Sequence, residues 1–248
     1  MNIPEDHPRY RSLMTRERLA KAVEDGLVTP TGLISHGRGE AFDYLMGERT
    51  TASALKAEKA AVSYLMNARN PVICVNGNAA ALDPERIIRL AEAVGAKIEV
   101  NIFHRTEERM ERLISHMEGH GARNVLGRYP DARIPGISSD RALCTKAGIY
   151  TSDVILVPIE DGDRAQALAA MGKTVIAIDL NPLSRTSAAA SVSIADEMSR
   201  ALENMIRFAG MGRDKIKRGT SGFDNASNRR ETAEEICTVL RSQFGGSE

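Results

Sequence analysis

Four apolar stretches of this chain each end on polar side chains, and their composition is typical of buried parallel strands. They span residues 72–76, 98–101, 154–161 and 174–179. In open parallel sheets, ligands bind in the crevice outside the carboxyl ends of the strands. The polar side chains at these ends are therefore predicted to converge on one crevice; they are Asn76, Asn101, Glu160, Asp161 and Asp179.

The segments between these stretches read as helices, and strands alternating with helices of this length favour a parallel sheet covered on both faces. We therefore expect an α/β fold with a Rossmann-like, doubly wound, mainly parallel sheet, plus an N-terminal helical segment and a C-terminal helix. The expected helices span residues 15–25, 51–68, 84–94, 106–118, 163–171, 197–209 and 231–244. Residues 1–210 are predicted to form a single domain, and residues 211–248 a flexible connection and the C-terminal helix, serving as a lid or a dimer contact.

The composition disfavours several classes of protein. The chain has 248 residues, 42% of them hydrophobic, which is enough for one well-covered core. Its 33 lysines and arginines balance 33 aspartates and glutamates, so charge does not favour a nucleic acid or an anionic membrane as partner. No apolar run approaches the roughly 20 residues that a membrane span needs. The three scattered cysteines, Cys74, Cys144 and Cys237, are typical of reduced thiols in a cytoplasmic protein.

The glycines of segment 32–43 predict a loop in which Gly37 and Gly39 flank Arg38. Glycine permits backbone conformations and close approaches that a side chain would block. An arginine held there can fork onto a phosphate or a carboxylate. A tight turn with a surface arginine explains the pattern equally well, so both interpretations stay open at this point.

Asn76-Gly77-Asn78 directly follows the first strand. Asparagine tolerates left-handed turns, so a plain strand-to-helix turn is one explanation. The other is ligand binding, which the strand-end position and the nearby helix start favour, because free amide N–H groups attract anions. His104-Arg105 has a similar position after the next strand end.

Glu160-Asp161-Gly162-Asp163-Arg164 places three carboxylates and an arginine at one strand end. Clustered carboxylates either hold a metal ion or orient hydrogen-bond donors. Asp163 is also in position to cap the following helix. We expect at least one of the three carboxylates to serve a ligand.

The run 179–186 (DLNPLSRT) carries the densest set of ligand-type side chains. An acid at a strand end, such as Asp179, suits ribose hydroxyls. Arg185 and the hydroxyls of Ser184 and Thr186 suit phosphates. No strand is followed by GxGxxG, so the ordinary dinucleotide fingerprint is missing, and a mononucleotide fits better than NAD.

Several longer blocks resemble one family. They are Asn2-Ile-Pro4, His7-Pro-Arg-Tyr10, Gly37-Arg-Gly-Glu-Ala-Phe-Asp-Tyr44, Val75-Asn-Gly-Asn78, Arg105-Thr-Glu-Glu-Arg109, Glu160-Asp-Gly-Asp-Arg164 and Asp179-Leu-Asn-Pro-Leu-Ser-Arg185. Together they resemble the archaeal 4-phosphopantoate–beta-alanine ligases, also called phosphopantothenate synthetases. The resemblance extends from the N-terminus to about residue 210.

The resemblance implies a cytoplasmic, homodimeric enzyme of coenzyme A biosynthesis. Such an enzyme condenses 4-phosphopantoate with beta-alanine and converts ATP to AMP and diphosphate. Carried over by position, the implied ATP contacts are Arg16, Arg38, Asp179, Leu180, Asn181, Arg185, Thr186, Glu197 and Met198. At the last two positions the family can have other side chains, which a backbone contact would tolerate.

This reaction needs activation, because a carboxylate does not react with an amine at neutral pH. An ATP-dependent route attaches AMP to phosphopantoate, and the amine of beta-alanine then attacks the mixed anhydride. Such catalysis consists largely of positioning and charge neutralisation. We expect Arg16, Arg38, Arg185 and Mg²⁺ to balance the phosphate charges.

Strand-end geometry suggests the remaining assignments. The expected substrate-binding residues are Asn76, Asn78, Asn101, Arg105, Glu160 and Asp163. The expected catalytic residues are Arg38, Asn101 and Asp161. The carboxylates Glu160, Asp161 and Asp163 are expected to serve a metal or the beta-alanine amine. The sequence does not identify the metal ligands. Residues 1–210 would then be the nucleotide-binding catalytic domain. Two other classes stay open: an oxidoreductase with a nucleotide cofactor, and a non-catalytic ATP-binding sensor.

Overall fold

The computed structural model describes residues 4–7, 9–159, 161–218 and 222–244. Within them, five parallel strands form one sheet in the order β2-β1-β5-β6-β7, and two short antiparallel strands, β3 and β4, form a separate hairpin. The strands are β1 Pro71–Val75, β2 Lys97–Val100, β3 Ala132–Arg133, β4 Leu143–Cys144, β5 Val154–Pro158, β6 Thr174–Ile178 and β7 Val192–Ile194. The predicted α/β class and parallel sheet are confirmed.

Helices connect the strands and cover both faces of the sheet. They are α1 Tyr10–Glu24, α2 Pro30–Leu45, α3 Ala52–Asn67, α4 Gly77–Leu82, α5 Pro84–Val94, α6 Glu107–Gly119, α7 Gly162–Ala170, α8 Arg185–Ala189, α9 Met198–Ala209, α10 Arg213–Arg218 and α11 Asn225–Phe244. The predicted start of α5 is confirmed: Asp83 caps it, accepting a hydrogen bond from the Arg86 amide, and Pro84 occupies its first turn.

The strand register explains why helices cover both faces of the sheet. Ile73 lies beside Ile98 on one side and Leu156 on the other, and all three belong to the core that packs against α3, α5 and α9. Their chain neighbours point to the opposite face because side chains alternate along a strand. Val72 and Ile155, for example, belong to a second core that includes residues of α7. The two central strands, β1 and β5, are therefore apolar throughout, as their sequences show.

The sheet has a switch point between β1 and β5. From β1 the chain moves outward to β2, and it later returns to β5 and continues in the opposite direction through β6 to β7. Doubly wound sheets bind ligands at such a point, outside the carboxyl ends of the strands.

Several helices differ from the sequence prediction. The N-terminal helix begins at Tyr10, five residues before the predicted start, and Arg9 precedes it without a side-chain capping bond. The predicted loop 32–43 was wrong, because this segment lies in α2, which has Pro30 in its first turn. The last helix begins at Asn225 rather than 231, and α10 occupies part of the predicted flexible connection. In each case a polar or glycine-rich sequence concealed a helix that tertiary contacts support.

The first turns of the C-terminal helix bind α8, β7 and the loop that follows β6. The Asn225 side chain donates to the carbonyls of Ser187 and Ala190 at 2.9 and 2.8 Å, and its oxygen accepts from the Ser193 amide at 2.8 Å. Arg229 donates a 2.7 Å hydrogen bond to the carbonyl of Pro182. The helix thus supports the loop that follows β6. None of the described helices is both long and apolar enough to span a membrane.

Candidate active site

A cavity of about 1000 Å³ lies at the carboxyl edge of the sheet. All five parallel strands contribute the residues that follow them, and α2 forms a further part of the wall. The first lining residues after each strand are Ile102, Asn76, Ile159, Asp179 and Asp196. The cavity therefore occupies the place that the polar strand ends predict.

The structure brings most of the predicted site residues together in this cavity. Those that line it are Arg38, Asn76, Asn78, Asp161, Asp179, Leu180, Asn181, Arg185, Thr186, Glu197 and Met198. Among the described residues, four predicted ones do not line it: Arg16, Asn101, Arg105 and Asp163. Glu160 lies outside the described residues.

The loop after β6 is held in one shape by its own polar groups. Asp179 accepts hydrogen bonds from the Asn181 amide at 3.0 Å and from the Ser184 hydroxyl. The Ser187 hydroxyl donates to the Asn181 carbonyl at 2.9 Å. Burial raises the pKa of Asp179, while these hydrogen bonds and the positive charge of Arg38 act in the opposite direction. The loop presents a fixed carboxylate edge beside the arginine.

Four helices begin at the cavity, and each has a capping side chain at its start. The capping residues are Asn76 for α4, Asp161 for α7, Ser184 for α8 and Glu197 for α9. Helix N-termini carry a partial positive charge and attract anions. The starts of the two longer helices, α7 and α9, are capped by carboxylates, and those of α4 and α8 by neutral side chains.

Glycine permits the close approach of two of these helix starts. A Cβ on Gly162 would lie 2.5 Å from the Arg185 Cβ and 3.3 Å from the Thr186 amide nitrogen, because the start of α7 packs on the start of α8. Only glycine fits there without displacing the backbone of α8.

Glu197 is engaged with the protein itself. Its carboxylate accepts from the amides of Ser199 and Arg200 at 2.9 and 3.1 Å, and burial raises its pKa. Behind it, Arg200 pairs with both Asp43 and Asp196, and so ties α9 to α2. A ligand at this position would therefore meet the backbone at the start of α9 rather than a free Glu197 carboxylate.

Helix α2 carries Arg38 and His36 into the cavity wall. Arg38 is exposed, whereas burial lowers the pKa of His36. Arg16 lies on α1, where it donates to Glu40 at 3.1 Å and to the Tyr44 hydroxyl at 2.8 Å. Arg16 thus contacts the outer part of α2 rather than the cavity.

The two asparagines after β1 line the cavity and also hold its wall. Asn76 donates to the carbonyls of Pro158 and Ile159 at 3.0 and 2.8 Å, and accepts from the Ala79 amide at 3.0 Å. Asn78 donates to the Gly32 carbonyl at 2.9 Å, which joins α4 to α2.

The other predicted residues bind neighbouring parts of the chain. Asn101 donates to the carbonyls of Arg141 and Leu143, at 3.2 and 2.8 Å. Arg105 donates to the Gly127 carbonyl at 2.7 Å. Asp163 pairs with Arg185 at the surface.

Sequence reasoning missed two arginines that line the cavity, Arg109 and Arg141. Arg109 belongs to the same sequence block as Arg105, but four residues further on it faces the cavity wall. Arg141 follows the β3 strand in a stretch without recognisable pattern. Arg109 lies in the first turn of α6, shortly after the end of β2, and this position is the signal that points to it.

No three His, Cys, Asp or Glu side chains converge as a metal site within the described parts of the chain. Mg²⁺ typically keeps several waters and binds through one or two carboxylates together with substrate phosphates. A cavity with single carboxylates such as Asp161 fits that mode of binding rather than a dedicated protein cage.

The fold and the cavity define a doubly wound α/β protein with an anion-attracting site at its strand ends. The model of the phosphopantothenate/pantothenate synthetase family matches residues 53–239, which includes most of α11. The chain belongs to this family.

Curated relatives extend the match to nearly the whole chain. A 4-phosphopantoate–beta-alanine ligase of Methanosarcina mazei is 52% identical, over 97% of this chain and 96% of its own length. One of Methanospirillum hungatei is 55% identical over 83% and 84%, and one of Thermococcus kodakarensis is 45% identical over 98% and 94%. The similarity thus continues beyond residue 210, where the family resemblance in the sequence blocks ends.

Proposed function

We propose that this chain is an ATP-dependent ligase that joins 4-phosphopantoate to beta-alanine and releases AMP and diphosphate, a step of coenzyme A biosynthesis. The observation that carries the proposal is the identity of 45–55% to three ligases of that name. The cavity supports it, since four helix starts and several arginines surround a space large enough for two anionic substrates.

The proposed chemistry proceeds through a phosphopantoyl adenylate. The acid carboxylate attacks the α-phosphorus of ATP, diphosphate leaves, and the amine of beta-alanine displaces AMP from the mixed anhydride. The protein lowers the barrier by holding the reacting groups together and by neutralising phosphate charge.

For the nucleotide, we propose two sets of contacts. Asp179, Leu180 and Asn181 bind the nucleoside, because their loop is rigid and lies at a strand end. Arg38, Arg185 and Thr186 contact phosphates, together with Arg16 if α2 rearranges around the ligand. Glu197 and Met198 contribute backbone contacts, because the Glu197 side chain caps α9.

For the acid and the amine, the proposal rests on the strand ends between β2 and β5. Asn76 and Asn78 contact the acid, while Asn101 acts by holding the backbone at Arg141, and Arg105 by holding the chain at Gly127. Asp161 binds the amine or Mg²⁺, and Glu160 and Asp163 belong to the same proposed group. Mg²⁺ accompanies ATP and is held mainly by its phosphates.

The assembly and location of the protein are also proposals. We propose a cytoplasmic homodimer, in which residues 211–248 contribute a lid or a contact between subunits. All three cysteines are free, which suits a reducing compartment.

The test is the release of AMP and diphosphate from Mg-ATP in the presence of beta-alanine and 4-phosphopantoate. We expect release that requires both substrates and produces 4′-phosphopantothenate. ATP binding without release would indicate a sensor instead. If the protein shows no ATP binding and no release, the proposal is wrong.

A further inference from the structure

A pair of buried carboxyl groups lies behind the cavity wall at the end of β7. Glu58 of α3 is fully buried, and Asp196, which is only 1% exposed, follows β7 and lines the cavity. Burial and the facing Asp196 carboxylate raise the pKa of Glu58 to about 9. Because two carboxyl groups in contact ionise together only at a high cost, this pair shares one proton at neutral pH.

The hydrogen bonds around the pair show which group carries the proton. Asp196 accepts from the Thr50 hydroxyl at 2.6 Å and from the Glu197 amide at 2.8 Å. It also pairs with Arg200 at 2.7 Å, and such donors stabilise a carboxylate. Among the described residues, by contrast, no N–H or O–H group donates to either oxygen of Glu58 with hydrogen-bonding geometry. Glu58 is therefore the protonated partner, and it donates to Asp196.

The other groups around Glu58 do not replace Asp196 as its partner. Asn204 and Arg207 face it from α9 and act to lower its pKa, but burial and Asp196 outweigh them. Strands β5 and β7, which also pack on α3, are uncharged along their length. Charged side chains of the other helices packed on α3 are exposed or engaged elsewhere; they include Glu231 of α11, paired with Lys56, Arg86 of α5, paired with Glu203, and the exposed Arg213, Asp214 and Lys215 of α10.

Asp196 connects the buried pair to the part of the cavity assigned to the nucleotide. It accepts from the amide of Glu197, which caps α9, where backbone contacts with ATP are proposed. Through Arg200 it is also joined to Asp43 of α2. Strand β7 lies next to β6, whose loop is the proposed nucleoside contact. A displacement of Asp196 would therefore move the start of α9 and its link to α2 together.

Loss of the shared proton would place two negative charges in direct contact away from water, where like charges repel strongly. Glu58 lies in the middle of α3, within the core, whereas Asp196 lies between the end of β7 and the start of α9. The repulsion would therefore act mainly by displacing Asp196 and the backbone that it holds.

We propose that the proton shared by Glu58 and Asp196 holds the start of α9 in the position that binds ATP, so that Glu58 is a positioning residue for the nucleotide. The inference rests on the proposed function, since it needs ATP in the cavity. Glu58 acts through Asp196 and is buried behind the cavity wall. ATP affinity should consequently depend on the protonation of a group that the nucleotide does not touch.

The experiment measures binding of Mg-ATP to the full-length protein by calorimetry at pH 7.5 and pH 9.5, for the wild type and Glu58→Gln. Beta-alanine is left out, so that its amine does not contribute to the pH dependence. Because the required proton is lost with a pKa of about 9, wild-type affinity should fall about fourfold between these values. Glutamine stays neutral and can still donate to Asp196, so the variant should keep its affinity within about twofold of the wild-type value at pH 7.5.

Proton uptake gives a second readout, which a purely structural role of Glu58 would not produce. At pH 9 about half of the free protein lacks the shared proton, so that ATP binding should take up about half a proton per site. The heat of binding in two buffers of different ionisation enthalpy gives this number. Uptake should disappear in Glu58→Gln, and the wild-type value alone tests the proposal if the variant does not fold.

The matched control is Glu203→Gln, which changes an exposed glutamate on the same helix, α9, where it pairs with Arg86. Because Glu203 lies outside the cavity wall and the buried pair, its substitution should leave the wild-type pH dependence and proton uptake unchanged.

Three results would overturn the inference. In the first, wild-type ATP affinity is the same at both pH values and no proton is taken up, while diphosphate release continues, so that the ligase stands without this device. In the second, Glu58→Gln keeps the wild-type pH dependence, so that another group is responsible. In the third, the wild type binds no ATP at either pH, so that the proposed function fails as well.

Discussion

The Asn76 side chain donates a 2.8 Å hydrogen bond to the Ile159 carbonyl, and so joins the carboxyl ends of β1 and β5 at the switch point of the sheet. Ile159 has a φ of 52°, a conformation that β-branched residues rarely adopt. Such backbone strain persists only where neighbouring contacts enforce it. Asn76 is one of those contacts, and it lines the cavity that it helps to shape.

Replacing Asn76 with alanine should therefore destabilise the protein. The substitution removes two hydrogen bonds to β5 and the cap of α4. We expect a loss of about 2–3 kcal/mol in the free energy of unfolding, measured by urea denaturation. Asn67→Ala, which removes one bond to the Ser63 carbonyl at the end of α3, is the control and should cost about 1 kcal/mol or less. Equal losses for the two variants would contradict the role assigned to Asn76.

Arg38→Ala should abolish ATP-dependent turnover while the fold stays intact. Arg38 is exposed in the cavity wall and its charge acts on Asp179, so its loss removes the proposed phosphate contact rather than packing. We expect diphosphate release to fall by about 100-fold or more, with an unchanged circular dichroism spectrum. The control is Arg89→Ala, which changes an exposed arginine of α5 outside the cavity wall. Normal turnover in Arg38→Ala would remove this assignment.

Stability should depend on the protonation of Glu58. Its side chain is fully buried on α3, and burial together with the Asp196 carboxylate raises its pKa to about 9. Between its usual value and pH 9 the unfolded chain releases this proton but the folded chain keeps it, so the free energy of unfolding falls as pH rises. Glu58→Gln removes this dependence. The difference in the free energy of unfolding between this variant and the wild type should therefore change in favour of the variant by about 1 kcal/mol or more from pH 5 to pH 8, measured by urea denaturation.

The comparison for this pH effect is Glu203→Gln. Glu203 is exposed and pairs with Arg86, whose hydrogen bond lowers its pKa. Glu203 is ionised in both the folded and the unfolded chain from pH 5 to pH 8. Its substitution should therefore change the free energy of unfolding by the same amount at pH 5 and at pH 8. A Glu58→Gln curve parallel to that of the wild type would show that Glu58 is ionised in the folded protein.

Two glycines of α2 should respond in opposite directions to alanine. A Cβ on Gly37 would meet nothing within 4 Å, whereas one on Gly32 would lie 2.6 Å from an Asn78 oxygen and 2.9 Å from a Val28 methyl carbon. Gly37→Ala should stabilise the protein by about 0.5–1 kcal/mol, because alanine favours the helix. Gly32→Ala should lower the melting temperature and disturb the Asn78 contact. Destabilisation by Gly37→Ala would indicate that α2 leaves the helical conformation there.

The sheet and the cavity at its carboxyl edge were predictable from sequence because local and global preferences agree there. Strands such as β5 are apolar throughout and stop at polar residues, so periodicity and burial point the same way. Helix α2 was missed because Gly32, Gly37 and Gly39 have low helix propensity, which contacts such as Asn78 to Gly32 overcome. Arg109 and Arg141 meet only in three dimensions, since they belong to separate segments that approach Phe103.

The attachment of α11 to α8, β7 and the loop after β6 makes this helix a suitable place for a probe of the cavity. Cys237 is the exposed thiol on α11, while Cys74 and Cys144 are buried and burial raises the pKa of Cys144 to about 12. A fluorophore would therefore attach selectively to Cys237. Because Arg229 of the same helix holds the loop after β6, the dye is mechanically connected to that loop. Its emission is expected to change when ATP binds at the proposed nucleotide site, and the label leaves the proposed contact residues unchanged.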